Sequence, residues 1–166
     1  MFHYQFIPLL LLLANSLALA APTARTGEAE VRESSNGLPC FTITEREEQR
    51  GVPNFQAVTV YDTSVRPRTK MWAMAMPPDR TFPVLFSMCV PYGGRVQALP
   101  QTASAMLQSD RLYEVLIEVR GDGTSRPPRG YSARFCLVRQ RDDSLVVRSV
   151  GAAANAGRNF SGCLAR

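Results

Sequence analysis

The chain has one histidine, His3, and one lysine, Lys70, among its 166 residues. His3 falls within residues 1–20, which read as a cleavable export signal. Ile7-Pro8-Leu9-Leu10-Leu11-Leu12-Leu13 is an apolar run too short to span a bilayer, and Ala18-Leu19-Ala20 supplies the small residues a signal peptidase needs. Cleavage after Ala20 leaves a mature chain, starting Ala21-Pro22, that is wholly without imidazole. Histidine triads, histidine zinc sites and histidine general bases are thereby excluded. The expectation moves from enzyme towards binding protein.

No second apolar run follows the signal, so no membrane anchor is expected after cleavage. Closely spaced cysteine pairs are lacking too. Cys40, Cys89, Cys136 and Cys163 stand far apart, which argues against a CxxC-type metal site. An even number of cysteines in an exported chain predicts two disulfides, with three pairings open. The formal charge of +5 comes almost wholly from arginines scattered through loops rather than clustered with aromatics. That pattern serves solubility, and no nucleic-acid partner is expected.

Residues 21–37 are polar and charged, and read as a flexible leader. Residues 38–166 read as a single domain with a C-terminal tail over Gly151–Arg166. Its strand signals are Leu38–Ile43, Asn54–Tyr61, Lys70–Met76, Phe82–Val90, Leu112–Arg120, Tyr131–Arg139 and Ser144–Val150. Gln140–Asp143 reads as a hairpin turn, and Thr102–Leu107 is the one helix-compatible stretch. About seven short strands separated by turns predict an all-β fold, a sandwich or a barrel. One pattern favours the sandwich. Leu107 and Asp110 precede Tyr113 as in the tyrosine corner of immunoglobulin and fibronectin III domains, where the phenol bonds back to upstream backbone.

Trp72, Met74 and Met76, next to Met71, share one face of a strand. Thioethers beside an indole could hold Cu(I), which makes a copper or ligand carrier the alternative function; core packing is the plainer account. Glu45, Glu47 and Glu48 could be paired acids, but their mixture with Arg46 and Arg50 reads as a solvated charged loop. Arg120-Gly121-Asp122 spells an integrin-type tripeptide where a turn is the simpler reading, and Asn159-Phe160-Ser161 is a glycosylation sequon. No catalytic residue, metal site or cofactor is expected. For a protein contact, the loop Arg120–Tyr131 is the first candidate, through Arg126, Arg129 and Tyr131, since arginine and tyrosine are enriched in interface hot spots.

Several pieces occur in a familiar order: Pro39-Cys40-Phe41-Thr42-Ile43, Met71-Trp72, Cys89-Val90-Pro91-Tyr92-Gly93, Leu112-Tyr113-Glu114-Val115 and Tyr131-Ser132-Ala133-Arg134-Phe135-Cys136-Leu137. The chain resembles, from about Leu38 to Val150, the type VI secretion immunity proteins of the Gram-negative periplasm, small β-rich lipoproteins. It departs from them in having Ala20-Ala21 where a lipobox cysteine would stand. The resemblance implies a soluble periplasmic protein that neutralises a cognate effector toxin by direct contact. It also implies the pairs Cys40–Cys89 and Cys136–Cys163, because shorter members keep counterparts of the first two cysteines only.

Overall fold

The computed structural model describes residues 25–96, 99–120, 128–151 and 163. The signal, the start of the leader and most of the tail lie outside that range. The described part of the chain is β-rich, with its strands in one curled mixed sheet. Its elements are β1 (Thr26–Glu33), β2 (Pro39–Ile43), α1 (Glu45–Gln49), β3 (Asn54–Asp62), β4 (Thr69–Ala75), β5 (Val90–Pro91), β6 (Tyr113–Arg120), β7 (Gly130–Arg139) and β8 (Leu145–Val150). The strand order is β4-β3-β6-β7-β1-β2-β5, with β8 also beside β7.

Alternation builds the core. Tyr113, Val115 and Ile117 of β6 point inward and are buried, as a period of two requires. In β3, Phe55, Val58 and Val60 are all buried although the first two are three positions apart. A bulge between Phe55 and Ala57 resets the alternation so that Phe55 and Val58 both face inward. Phe135 of β7 packs on Tyr113 and on Phe41 of β2, with ring centroids 5.4 and 5.6 Å apart. Trp72 of β4 meets Tyr92, just past β5, at 5.6 Å. The two ends of the strand order therefore come together.

The leader reading is corrected over Thr26–Glu33, which is a strand and a central one. Thr26–Glu28 lie parallel to Gly130–Ser132 of β7, and Ala29–Glu33 then run antiparallel to Ile43–Pro39 of β2. Its inward residues are Gly27, Ala29 and Val31, small enough that the segment reads as polar. Smallness is required there: a Cβ on Gly27 would collide with the Tyr131 ring, and one on Gly130 would lie 2.7 Å from the Ile117 carbonyl oxygen.

Two other segments differ from their predicted form. Phe82–Val90 is not a strand apart from its last residue; it covers β2 and β3 through scattered bonds. Val84 N–H donates to the Pro53 carbonyl at 2.8 Å, Phe55 N–H to the Phe82 carbonyl at 2.8 Å, and the Thr42 hydroxyl to the Leu85 carbonyl at 2.7 Å. Pro83 lacks the N–H a ladder needs, and this cover explains why all five residues of β2 are buried. Thr102–Leu107 forms no helix. It is a strap along the outer edge of β4, where Thr102 N–H donates to the Ala73 carbonyl at 2.9 Å and Ala105 N–H to the Met71 carbonyl at 2.9 Å. Six residues gain little as an isolated helix, whereas here they satisfy an edge strand.

Cys40 is bonded to Cys89 and Cys136 to Cys163, with Cα separations of 5.3 and 5.8 Å. These are the pairs the resemblance implies, and they fit an oxidising environment outside the cytosol. Among the described residues no helix is long and apolar enough to cross a membrane. The Tyr113 hydroxyl accepts from Gln108 N–H at 2.8 Å and donates to the Gln108 carbonyl at 3.3 Å, the upstream backbone bond expected of it.

Two substitutions test this account by urea denaturation. Gly27→Ala is expected to cost about 1–3 kcal/mol, because a methyl must displace a buried ring. Tyr113→Phe should cost about 1–2 kcal/mol by leaving the Gln108 N–H without its acceptor. Unchanged midpoints would refute the close approach and the bond respectively.

Candidate functional site

Three polar residues are buried among the described residues: Thr42, Glu47 and Asp62. The hydroxyl of Thr42 is taken by Leu85 as above, and the two carboxylates organise the polar interior. Glu47 lies in α1, whose start is encoded by Thr44-Glu45-Arg46-Glu47, the S/T-x-x-E pattern of a helix N-terminus. Thr44 caps the helix by accepting from Glu47 N–H at 3.4 Å. The Glu47 side chain does not close the box. It turns inward, 2% exposed, and accepts two bonds from Arg25, at 2.7 and 2.6 Å, and one from Arg50 at 2.9 Å. The solvated-loop reading of this segment is corrected on that ground. Hydrogen bonds from Arg25 hold the Glu47 carboxyl below the usual glutamate range, against the opposing effect of burial.

Asp62 ends β3. Its Oδ1 accepts from Ser64 N–H at 2.8 Å and its Oδ2 from Arg111 at 2.7 Å. Both carboxylate oxygens are thus used, whereas Arg111, 40% exposed, gives Asp62 one of its five N–H groups. Above this pair opens a hollow walled by Val65, Met71 and Met106. Met106 is 86% exposed, the most exposed of the large apolar side chains described, and Val65 is 36% exposed. Tyr92 steadies the wall from inside. Its hydroxyl donates to the Ala105 carbonyl at 2.7 Å and lies 3.2 Å from that of Met71, and burial pushes its ionisation far above the ordinary phenol value.

Of the residues proposed for a protein contact, the structure describes Arg129 and Tyr131. Arg126 lies outside the described residues. Arg129 is exposed, with its N–H donating to the Arg25 carbonyl at 3.2 Å. Tyr131 points the other way. It is 2% exposed, packed against Gly27 in the core, and offers no surface to a partner. The Met/Trp face is likewise interior: Trp72 and Met74 belong to the buried core and Met76 packs against it. Met71, one position out of that alternation, is half-buried at the hollow instead. Gly121 and Asp122 of the tripeptide and all of the sequon fall outside the described residues.

Sequence reasoning missed the hollow because its parts are remote in the chain and individually ordinary. The Thr44-x-x-Glu47 pattern, by contrast, was a usable signal for α1. No family model, curated protein or solved structure matches the chain.

The Glu47 cluster makes a prediction with a definite sign. A carboxyl whose folded pKa is depressed contributes stability above its unfolded pKa, and that contribution is lost as pH falls through the folded value. Glu47→Gln should therefore lower stability at neutral pH by about 1–3 kcal/mol, as expected for lost bonds to a charged group. The gap in Tm between the two proteins should narrow as pH drops below about 4. A gap independent of pH would show that the carboxylate charge does not matter.

Proposed function

We propose that this chain is an exported, non-enzymatic domain that acts by binding another protein. More narrowly, we read it as a periplasmic immunity protein that neutralises a secreted type VI effector. The observation that carries the binding reading is the hollow beside Met106. Met106, 86% exposed, stands with Val65 and Met71 at the rim of a hollow that also holds Asp62 and Arg111, and this mixture of apolar and polar groups suits a contact surface. The buried carboxylates support the same view, since each already holds two structural partners.

Support for the compartment comes from the signal read over residues 1–20 and from the two disulfides. The immunity role rests on the short motifs between Leu38 and Val150. In architecture we read an immunoglobulin-like sandwich, one layer built from β1, β2 and β5 and the other from β4, β3, β6, β7 and β8. The exchange of partners along β1 and the Tyr113 bond favour it. Loops at the ends of such sandwiches are where binding residues gather, and the hollow lies between the β3–β4 connection and the strap.

Deleting the gene tests the role. Deleted cells should be killed by wild-type sister cells carrying the effector system, and an exported copy should restore survival. A deletion strain that survives equally well with and without that copy overturns the immunity reading.

A further inference from the structure

We propose that the Cys40–Cys89 bridge is a thiol–disulfide exchange site, open to a low-molecular-weight thiol that attacks the Cys89 sulfur and releases Cys40 beside Arg32. The two bridges of the molecule differ in access. Cys136 is 0% exposed and Cys163 5%, so a solute meets almost nothing of that bridge. Cys40 and Cys89 instead form part of the wall of an open recess of about 510 Å³, together with Arg32, Ser34, Asn36 and Pro91. Within the bridge the two halves are unequal. Cys89 is half-buried and Cys40 is 3% exposed, so Cys89 is the sulfur an incoming thiolate reaches and Cys40 the one that leaves. The chain around Cys89 is also the less constrained: it lies between a turn closed by Met88 N–H on the Leu85 carbonyl, at 3.0 Å, and the two residues of β5.

A second observation concerns the leaving group. Arg32 of β1 stands directly opposite Cys40 in the antiparallel register, so the two side chains rise from the same face with Cβ atoms about 5 Å apart. Its guanidinium lies over the Phe86 ring at 4.2 Å, and its Nε donates to Glu30 at 2.8 Å. One terminal nitrogen, Nη2, is buried and has no hydrogen-bond partner among the described residues. The neighbouring acids do not take it. Glu30 is engaged through Nε, and Glu33, which also lines the recess, receives Val147 N–H at 3.1 Å. A buried donor left unmet is unfavourable. A thiolate formed at Cys40 supplies the missing acceptor, and a sulfur stabilised in this way leaves faster.

The exchange balances. The thiolate RS⁻ bonds to the Cys89 sulfur as the Sγ–Sγ bond breaks, and that bond's electron pair goes to Cys40, which stays as thiolate or takes a proton from water. A second thiol then displaces Cys89 from the mixed disulfide, so two RSH become RSSR while the protein gains two thiols. The covering segment keeps other attachments when the bridge opens, from the Leu85 carbonyl to Thr42 and from Phe86 N–H to Glu48. This recess shares no residue with the hollow beside Met106, and its chemistry is independent of any partner bound there.

The test uses the mature protein with both bridges intact under native conditions. Reduced glutathione is added, thiols are trapped at intervals with N-ethylmaleimide, and the products are mapped by mass spectrometry. The Cys40–Cys89 bridge should open at least about tenfold faster than Cys136–Cys163, and the first glutathione adduct should sit on Cys89. Arg32→Gln should lower the ratio of the two opening rates severalfold. Taking that ratio within one molecule cancels any change in global stability. Overturning results are equal rates, faster opening of Cys136–Cys163, no opening of either bridge, or a first adduct on Cys40. A ratio that Arg32→Gln leaves unchanged or raises overturns the assignment equally.

Discussion

The parallel pairing of Thr26–Glu28 with Gly130–Ser132 is the contact on which the rest of the fold depends. It lets one strand serve two neighbours: β1 continues β7 for three residues, then leaves it for β2 and carries β2 and β5 round with it. Without that exchange, the β2–β5 pair would have no ladder to the remaining strands. Phe41, buried between them and Phe135, would lose its wall. The exchange demands close approach of backbones, which is why Gly27 faces the Tyr131 ring and Gly130 faces the Ile117 carbonyl. The vacated stretch of β7 does not stay open. From Arg134 onwards β8 takes the place β1 has left.

The ionised groups follow from the same geometry. Arg25 stands immediately before β1, and its bidentate bonds to Glu47 tie the start of that strand to the short helix after β2. A buried carboxylate is costly unless its oxygens are satisfied, and Glu47 receives three bonds from two arginines that stay half in water. The arrangement limits desolvation to one partner of the pair. Five residues are too few for a helix that is stable alone, so α1 owes its place to Thr44, Glu47 and the bond from Phe86 N–H to Glu48 at 2.8 Å. Asp62 and Arg111 do the corresponding work where β3 ends, beside the Tyr113 bond that fixes the start of β6.

The β-rich class and six of the eight strands among the described residues were legible in the sequence, because large alternating side chains announce them: Tyr113, Val115 and Ile117 in β6 are the clearest case. The first strand was hidden by the constraint that makes it necessary. Its inward positions must be small, so Gly27, Ala29 and Val31 sit among charges and give no hydrophobic signal. Phe82–Val90 misled in the opposite sense. It is apolar because it covers β2 and β3, and apolar cover without a ladder has the composition of a strand. Tyr131 was legible as an aromatic beside a loop, but not as a core residue, since the deciding neighbour is Gly27, more than a hundred residues earlier. The hollow was illegible for a related reason. It joins Val65, Met71 and Met106 only because the strap runs along β4.

The placement of that strap links stability to the proposed contact. An edge strand with open N–H and C=O groups invites pairing with other chains, and the strap removes that risk along Met71–Ala75. A backbone held in this way cannot also be a regular helix, so its side chains from Thr102 to Met106 remain in solvent. Met106 is the one large apolar residue among them, next to Leu107, which is buried. The bonds from Ala105 to Met71 and from Tyr92 to Ala105 hold the backbone just before the thioether, so little of it remains to be ordered on binding. Binding surfaces gain affinity when their anchors are fixed beforehand. The device that closes the sheet's edge thus also presents a pre-set apolar anchor, and the core beneath it, through Trp72 and Tyr92, keeps that anchor in place.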